Sequence, residues 1–221
     1  MKYELIVFDW DGTLYDSAAF IVSCVQAAAQ ASGFPVPEEK TIREMIGLSY
    51  EESLKRMMPD VSPMQMAMLI KAYRKCVEES QTHAPVLFQG VEEVLKSLKA
   101  TGYYLAIATG KGRYGLNKDL ELLKLSDTFV TTRCSDETNS KPHPQMLLEI
   151  MDEMGVEPSK TLMIGDTEYD MQLAQNAKTD AMAVSYGAHH IDRLRSGEHV
   201  KGYLDDIRDL PPWLARKSID K

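Results

Sequence analysis

The stretch Glu4–Gly12, ELIVFDWDG, organises the reading of the chain. Glu4–Phe8 is a nearly unbroken apolar run, which reads as a strand buried on both faces, as in a parallel sheet. It ends on two acids, Asp9 and Asp11. In extended backbone, side chains two positions apart share a side. Both carboxylates therefore turn toward one pocket if the strand geometry persists, and Gly12 permits a sharp turn after them. Like charges that close repel, and burying the pair raises at least one pKa. The pair needs either solvent or a counter-charge.

Outward from this strand, Tyr104–Ala108 (YLAIA), Thr161–Ile164 (TLMI), Ala181–Val184 (AMAV) and the short Phe129–Thr131 read in the same way. Between them lie helical stripes. Val91, Val94, Leu95 and Leu98 fall on one face before Gly102; Met146, Leu147, Ile150, Met151 and Met154 fall on another, between Pro144 and Gly155. Strand–helix alternation predicts an α/β fold with a doubly wound, Rossmann-like parallel-sheet core. Residues 17–84 break the rhythm with four helical patterns, Ser17–Ser32, Glu38–Ile46, Tyr50–Met58 and Pro63–Gln81, and no convincing strand. The expected organisation is a core from 1–16 and 85–221 with a small all-helical domain, 17–84, inserted after the first strand. Leu210-Pro-Pro-Trp213 reads as a tail laid over the core.

The chain has 221 residues, 44% hydrophobic and 26% charged, with a formal net charge of −8. That balance is ordinary for a globular protein, and the negative sign argues against nonspecific binding to nucleic acid or anionic membrane. No apolar stretch approaches the ~20 residues of a membrane span, and the N-terminus lacks the pattern of a signal peptide. Cys24, Cys76 and Cys134 are odd in number and far apart in sequence, which suits a reducing, cytoplasmic setting. Nothing suggests a coiled coil or a large exposed apolar face, so a monomer is expected, with a dimer left open.

Ligands of open α/β sheets bind outside the carboxyl ends of the strands, and the chemistry-bearing residues fall there. Asp9 and Asp11 follow the first strand, and Thr109-Gly110 follows YLAIA. Lys141 precedes the Pro144 helix. Asp166 follows TLMI, with Asp170 one helical turn on. Three or four converging carboxylates call for a hard divalent cation with oxygen ligands, of which Mg²⁺ is the simplest. A lysine, a hydroxyl and backbone donors beside that cation make a phosphate cradle. A carboxylate there can attack phosphorus.

DWDGT at 9–13, TG at 109–110, SKPHP at 140–144 and GDTEYD at 165–170 resemble, in order, the four motifs of the haloacid dehalogenase superfamily. The helical insertion resembles its helical cap, and the likeness is to the phosphoglycolate phosphatase-like branch. The resemblance implies a Mg²⁺-dependent phosphatase acting on a small phosphorylated metabolite. It implies Asp9 as the phosphorylated nucleophile and Asp11 as general acid and then base, with the Asp11 backbone carbonyl binding the metal. It implies Thr109, Gly110 and Lys141 around the phosphoryl oxygens, Asp166 as a metal ligand, and Asp170 behind the ligands or binding directly. An acid at position 11 argues against the dehalogenase branch. Gly47, Leu48 and Ser49 are expected to enter the pocket from the cap. Lys178 stands where the family usually has Gly, a strained choice if that position takes φ > 0, and Gln89 where it often has Pro.

Other readings use the same scaffold. A phosphomutase would share every motif and pass the phosphoryl group to an organic hydroxyl. A phosphonate-cleaving enzyme would need a lysine from the cap, such as Lys40, Lys55 or Lys71. A phosphoacceptor switch without turnover would need neither the insertion nor Asp11. Lys111 and Arg113 read equally as attractors of an anionic substrate or as solvated charge. His83, His189, His190 and His199 show no metal-ligand spacing.

Overall fold

A computed structural model of the chain describes residues 2–79, 85–195 and 197–217. Strand β1 is Leu5–Phe8. Four helices follow: α1 (Ala18–Ala31), α2 (Glu39–Arg43), α3 (Tyr50–Met57) and α4 (Pro63–Glu79). The chain then runs α5 (Val91–Thr101), β2 (Tyr104–Thr109), α6 (Arg113–Leu122), β3 (Thr131–Cys134) and α7 (Gln145–Met154). It ends with β4 (Thr161–Gly165), α8 (Glu168–Ala177), β5 (Asp180–Val184), α9 (Ile191–Leu194), β6 (Val200–Leu204) and α10 (Leu210–Lys217). Ser80 and Gln81, the last predicted positions of the fourth inserted helix, lie outside the described residues, as do His83 and the expected boundary at residue 84.

The six strands form one parallel sheet in the order β3-β2-β1-β4-β5-β6. β1 is central, with Phe8 in register with Ile107 on one side and Ile164 on the other. Its alternate side chains explain the unbroken apolar run. Ile6 and Phe8 join α5, α6 and α10 in one core layer, while Leu5 and Val7 join α7, α8 and α9 in the other. Each such buried side chain contributes about 1.5–3 kcal/mol by leaving water. The tail is as read: Leu210 and Leu214 enter the first layer, and Trp213 stacks on Tyr3.

The sheet departs from the sequence expectation at its edges. β3 lies at Thr131–Cys134, two to three residues beyond the expected Phe129–Thr131. Its ladder with β2 places polar Thr132 and Arg133 in the strand, and Arg133 pairs with Glu149 and Glu153. β6 (VKGYL) and α6 (RYGLNKDLEL) are additional elements. A strand with Lys and Gly inside and a helix with Gly inside are poor local signals; packing on the sheet decides both.

The inserted helices carry an apolar cluster of their own, Val22, Val25 and Ile42, with Tyr50, Met57 and Tyr73 packed on it. Tyr50 and Tyr73 stack at 4.0 Å between ring centres. Cys24 on α1 and Cys76 on α4, distant in sequence, meet sulfur to sulfur at 2.7 Å. Among the described residues no helix is long and apolar enough to cross a membrane.

Candidate active site

The register of β1 with its neighbours assembles the site. Thr109 and Asp166 each lie two residues past the β1-paired positions, and the Asp9 N–H donates to the Ile164 carbonyl at 2.9 Å. Gly12 turns at φ 90°. The alternation through Trp10 holds: its indole N–H points away to donate to Asp119 at 3.0 Å, while Asp9 and Asp11 line one cavity.

Asp9, Asp166 and Asp170 are buried, and one oxygen of each lies within 4.8 Å of the others. Among the described residues, one side-chain cation pairs with them. The Lys141 Nζ is 2.8 Å from Asp9 Oδ1 and 2.7 Å from Asp170 Oδ1. The remaining oxygens differ in occupation. Asp170 Oδ2 accepts from the Thr167 N–H at 3.0 Å and the Thr167 hydroxyl at 2.7 Å, forming the capping box of α8. Asp166 accepts from the Thr13 hydroxyl at 2.8 Å and the Ala188 N–H at 2.7 Å. Asp9 Oδ2 is buried with no hydrogen-bond partner. The predicted helical spacing of Asp166 and Asp170 is corrected here. Asp166 stands in the loop before Thr167, the N-cap, and the two acids meet because the strand end aims one and the cap folds back the other.

Burial raises the pKa of Asp9 well above the carboxylate range; Lys141 opposes the shift, and Asp170 and Asp166 add to it. Burial and then Asp170 push Asp166 up to about 7. Burial works against the Lys141 ammonium, but Asp170 and Asp9 outweigh it and hold its pKa high. Three carboxylates against one ammonium leave negative charge in excess, and the bare Asp9 oxygen is an unmet ligand. The donor set is all oxygen and fits a hard divalent cation.

Asp11 takes a different partner. Its side chain lies outside that cluster and meets Lys111 Nζ at 3.2 Å, which in turn sits 3.3 Å from Asp119. The two repelling acids thus have one lysine each. Lys111 is partly buried; desolvation works against its charge, and Asp11 and Asp119 outweigh it to raise its pKa. Lys111 is therefore not a freely solvated charge: it lines the cavity and is paired with Asp11 and Asp119. No local signal marks it; only the return of β2 beside β1 does. Arg113 is spent on Glu137 and Thr132 at the side of the core.

The loop between α2 and α3 closes over the acids. Gly47, Leu48 and Ser49 line the same cavity as Asp9, Asp11, Thr109 and Gly110. The fit is tight: a side chain at Gly110 would lie 2.5 Å from the Leu48 carbonyl oxygen. The Ser49 N–H donates to Ser140 at 2.9 Å. The Glu44 carbonyl accepts from the Tyr169 hydroxyl at 3.0 Å and meets His189 Nε2 at 3.2 Å, and Arg193 bridges Glu44 and Glu168. None of Lys40, Lys55 and Lys71 lines the cavity; the lysine in its described wall, Lys111, follows β2 and is paired with Asp11.

Comparison with known proteins agrees with this architecture. Residues 6–184 match the haloacid dehalogenase-like hydrolase family. A Dickeya dadantii protein named "Probable phosphatase IndB" is 33% identical over 198 residues, 88% of this chain and 86% of that one. A phosphoglycolate phosphatase of Nitrosococcus oceani is 30% identical over 94% of this chain and 96% of its own. The crystal structure of a haloacid dehalogenase-like hydrolase from Bacteroides fragilis superposes with a TM-score of 0.88 at 25% identity, over 95% of this chain and all of that one (100%). With its parallel sheet, helical insertion and acid cluster at the strand ends, this chain belongs to the haloacid dehalogenase-like hydrolases and is an enzyme of their phosphoglycolate phosphatase-like branch.

Proposed function

We propose that this protein is a Mg²⁺-dependent phosphatase that hydrolyses a small phosphorylated metabolite through an aspartyl-phosphate on Asp9. The observation that carries the reading is the bare Asp9 Oδ2, buried on the cavity wall beside Lys141 and two further acids. Helices α1–α4 act as the cap, residues 17–84, over a core of 1–16 and 85–221.

Asp9 Oδ2 attacks phosphorus, and the bond to the substrate's alcohol oxygen breaks. The Asp11 carboxylic acid gives its proton to that leaving oxygen. Asp11, now a carboxylate, takes a proton from water as the water oxygen attacks the aspartyl-phosphate. The bond to Asp9 breaks, and inorganic phosphate leaves. Lys111 keeps Asp11 in place for both transfers. Lys141, Thr109 and the Gly110 backbone hold phosphoryl oxygens, and Asp170 orients Lys141. Asp9, the Asp11 carbonyl and Asp166 would hold Mg²⁺, with Asp170 behind them; when bound, the ion supplies positive charge against the phosphoryl oxygens. The closed loop at Gly47–Ser49 keeps bulk water from the acids.

The test is phosphate release from a panel of phosphorylated metabolites, with Mg²⁺ and with EDTA, for wild type and Asp9→Asn. Mg²⁺-dependent release that disappears in a folded Asp9→Asn protein supports the reading. Substantial activity in that variant sinks the nucleophile. Incorporation of ¹⁸O from labelled water into the phosphate separates hydrolysis from transfer to an organic hydroxyl.

A further inference from the structure

The cavity above Asp9 is larger and drier than its chemistry requires. It measures about 490 Å³ and runs from Asp9, Asp11 and Thr109 into the space between α1, α2, α3 and α4. That volume lies within the ~300–1,000 Å³ of sites that enclose drug-sized ligands. Away from the acids the wall is built by Ile21, Val25, Ile42, Met57, Ile70 and Val77. Water gains little in such a space, whereas an apolar body fills it favourably.

The charged groups of the cavity are exposed to solvent, as Glu51, Arg74 and Glu78 are, or paired, as Lys111 is with Asp11 and Asp136 with the Arg113 N–H. The Ser53 hydroxyl donates to the Ser49 carbonyl at 2.9 Å, and the Ser49 hydroxyl caps α3. Tyr50 differs. It lines the cavity, and its Oη is buried with no hydrogen-bond partner. A buried hydroxyl left unpaired is costly, so it marks a place where a ligand atom belongs.

Resting on the phosphatase reading above, we infer that the substrate is a phosphate monoester of a mid-sized, mainly apolar alcohol that carries a hydrogen-bonding group to meet Tyr50 Oη. The phosphoryl group lies at Asp9, the alcohol's apolar body lies along the wall from Ile42 to Val77, and Tyr50 reads its polar atom.

The experiment is kcat/KM, with Mg²⁺, for a series of n-alkyl phosphates from ethyl to hexyl, whose leaving groups are chemically alike. Phosphoglycolate, glucose 6-phosphate and pyrophosphate are run beside them. The expected result is a rise of about tenfold or more from ethyl to hexyl, with the three polar compounds below hexyl. In Tyr50→Phe the preference for 6-hydroxyhexyl over hexyl phosphate falls by about threefold or more. A flat or falling series, or a preference for a polar compound, overturns the inference and leaves the phosphatase standing. So does a preference that Tyr50→Phe does not move. No phosphate from any compound, in a folded protein, overturns the phosphatase reading itself.

Discussion

The Lys141 ammonium lies 2.8 Å from Asp9 Oδ1, with both side chains sealed from solvent, and the same nitrogen holds Asp170 at 2.7 Å. One buried cation thus ties the end of β1 to the start of α8. Removing one partner of a buried pair leaves an uncompensated charge. Lys141→Met is expected to cost about 3–5 kcal/mol in urea unfolding measured in EDTA, and to lower kcat by about a hundredfold or more. Wild-type stability in the variant would show that the ion pair holds nothing together.

The acid cluster predicts a metal response that is independent of turnover. Mg²⁺ at about a hundred times its Kd should stabilise the protein by about 2.7 kcal/mol, about 5–10 °C in Tm for a chain of this size. Asp166→Asn should lose most of that shift. Thermal melts with Mg²⁺ and with EDTA measure both, and an equal shift in the two proteins would remove Asp166 from the ligand set.

His189 joins the inserted helices to the core in one protonation state. Its Nδ1 accepts from the Glu168 N–H at 3.2 Å, so Nε2 carries the proton that faces the Glu44 carbonyl. Burial, with Arg193 adding to it, lowers its pKa from 6.5, while the Glu44 carbonyl, Glu168 and Asp170 pull the other way. A folded pKa below the unfolded one means that the unfolded chain binds more protons between the two values. The stability that His189 contributes is complete above its unfolded pKa and is lost as pH falls toward the folded one. Imidazole NMR titration should place His189 below 6.5, and His189→Gln should flatten the loss of stability between neutral and mildly acid pH. A titration at or above 6.5 would contradict the assigned proton.

Lys178 ends α8 at φ 61°, the left-handed conformation that favours glycine. The expectation of strain at this position is met. Lys178→Gly should stabilise the fold by about 1 kcal/mol, about 2–4 °C in Tm, and leave the kinetics of this exposed position alone. A lower Tm would mean that the added backbone freedom of glycine outweighs the relieved strain.

The sequence by itself determined the parallel core, the helical insertion, the Lys178 turn and the strand ends where Asp9, Thr109 and Asp166 stand. Those features follow from local patterns: unbroken apolar runs, helical stripes with their stops, and motifs whose order matches a family. It was poorest at β3, β6 and α6, where polar residues or glycine interrupt the pattern and packing on the sheet decides. Only the tertiary structure decided how the opening acids are kept apart. Asp9 goes to Lys141 and Asp11 to Lys111, about 130 and 100 positions away in the chain; Lys111 arrives just past β2, the neighbour of β1, and Lys141 arrives from the segment between β3 and α7. Charge compensation in a buried site acts over a few ångströms of low-dielectric space, and sequence separation carries no record of that distance. The same holds for Tyr50, an ordinary residue in the sequence whose hydroxyl becomes an unmet group only when α3 and α4 close around it.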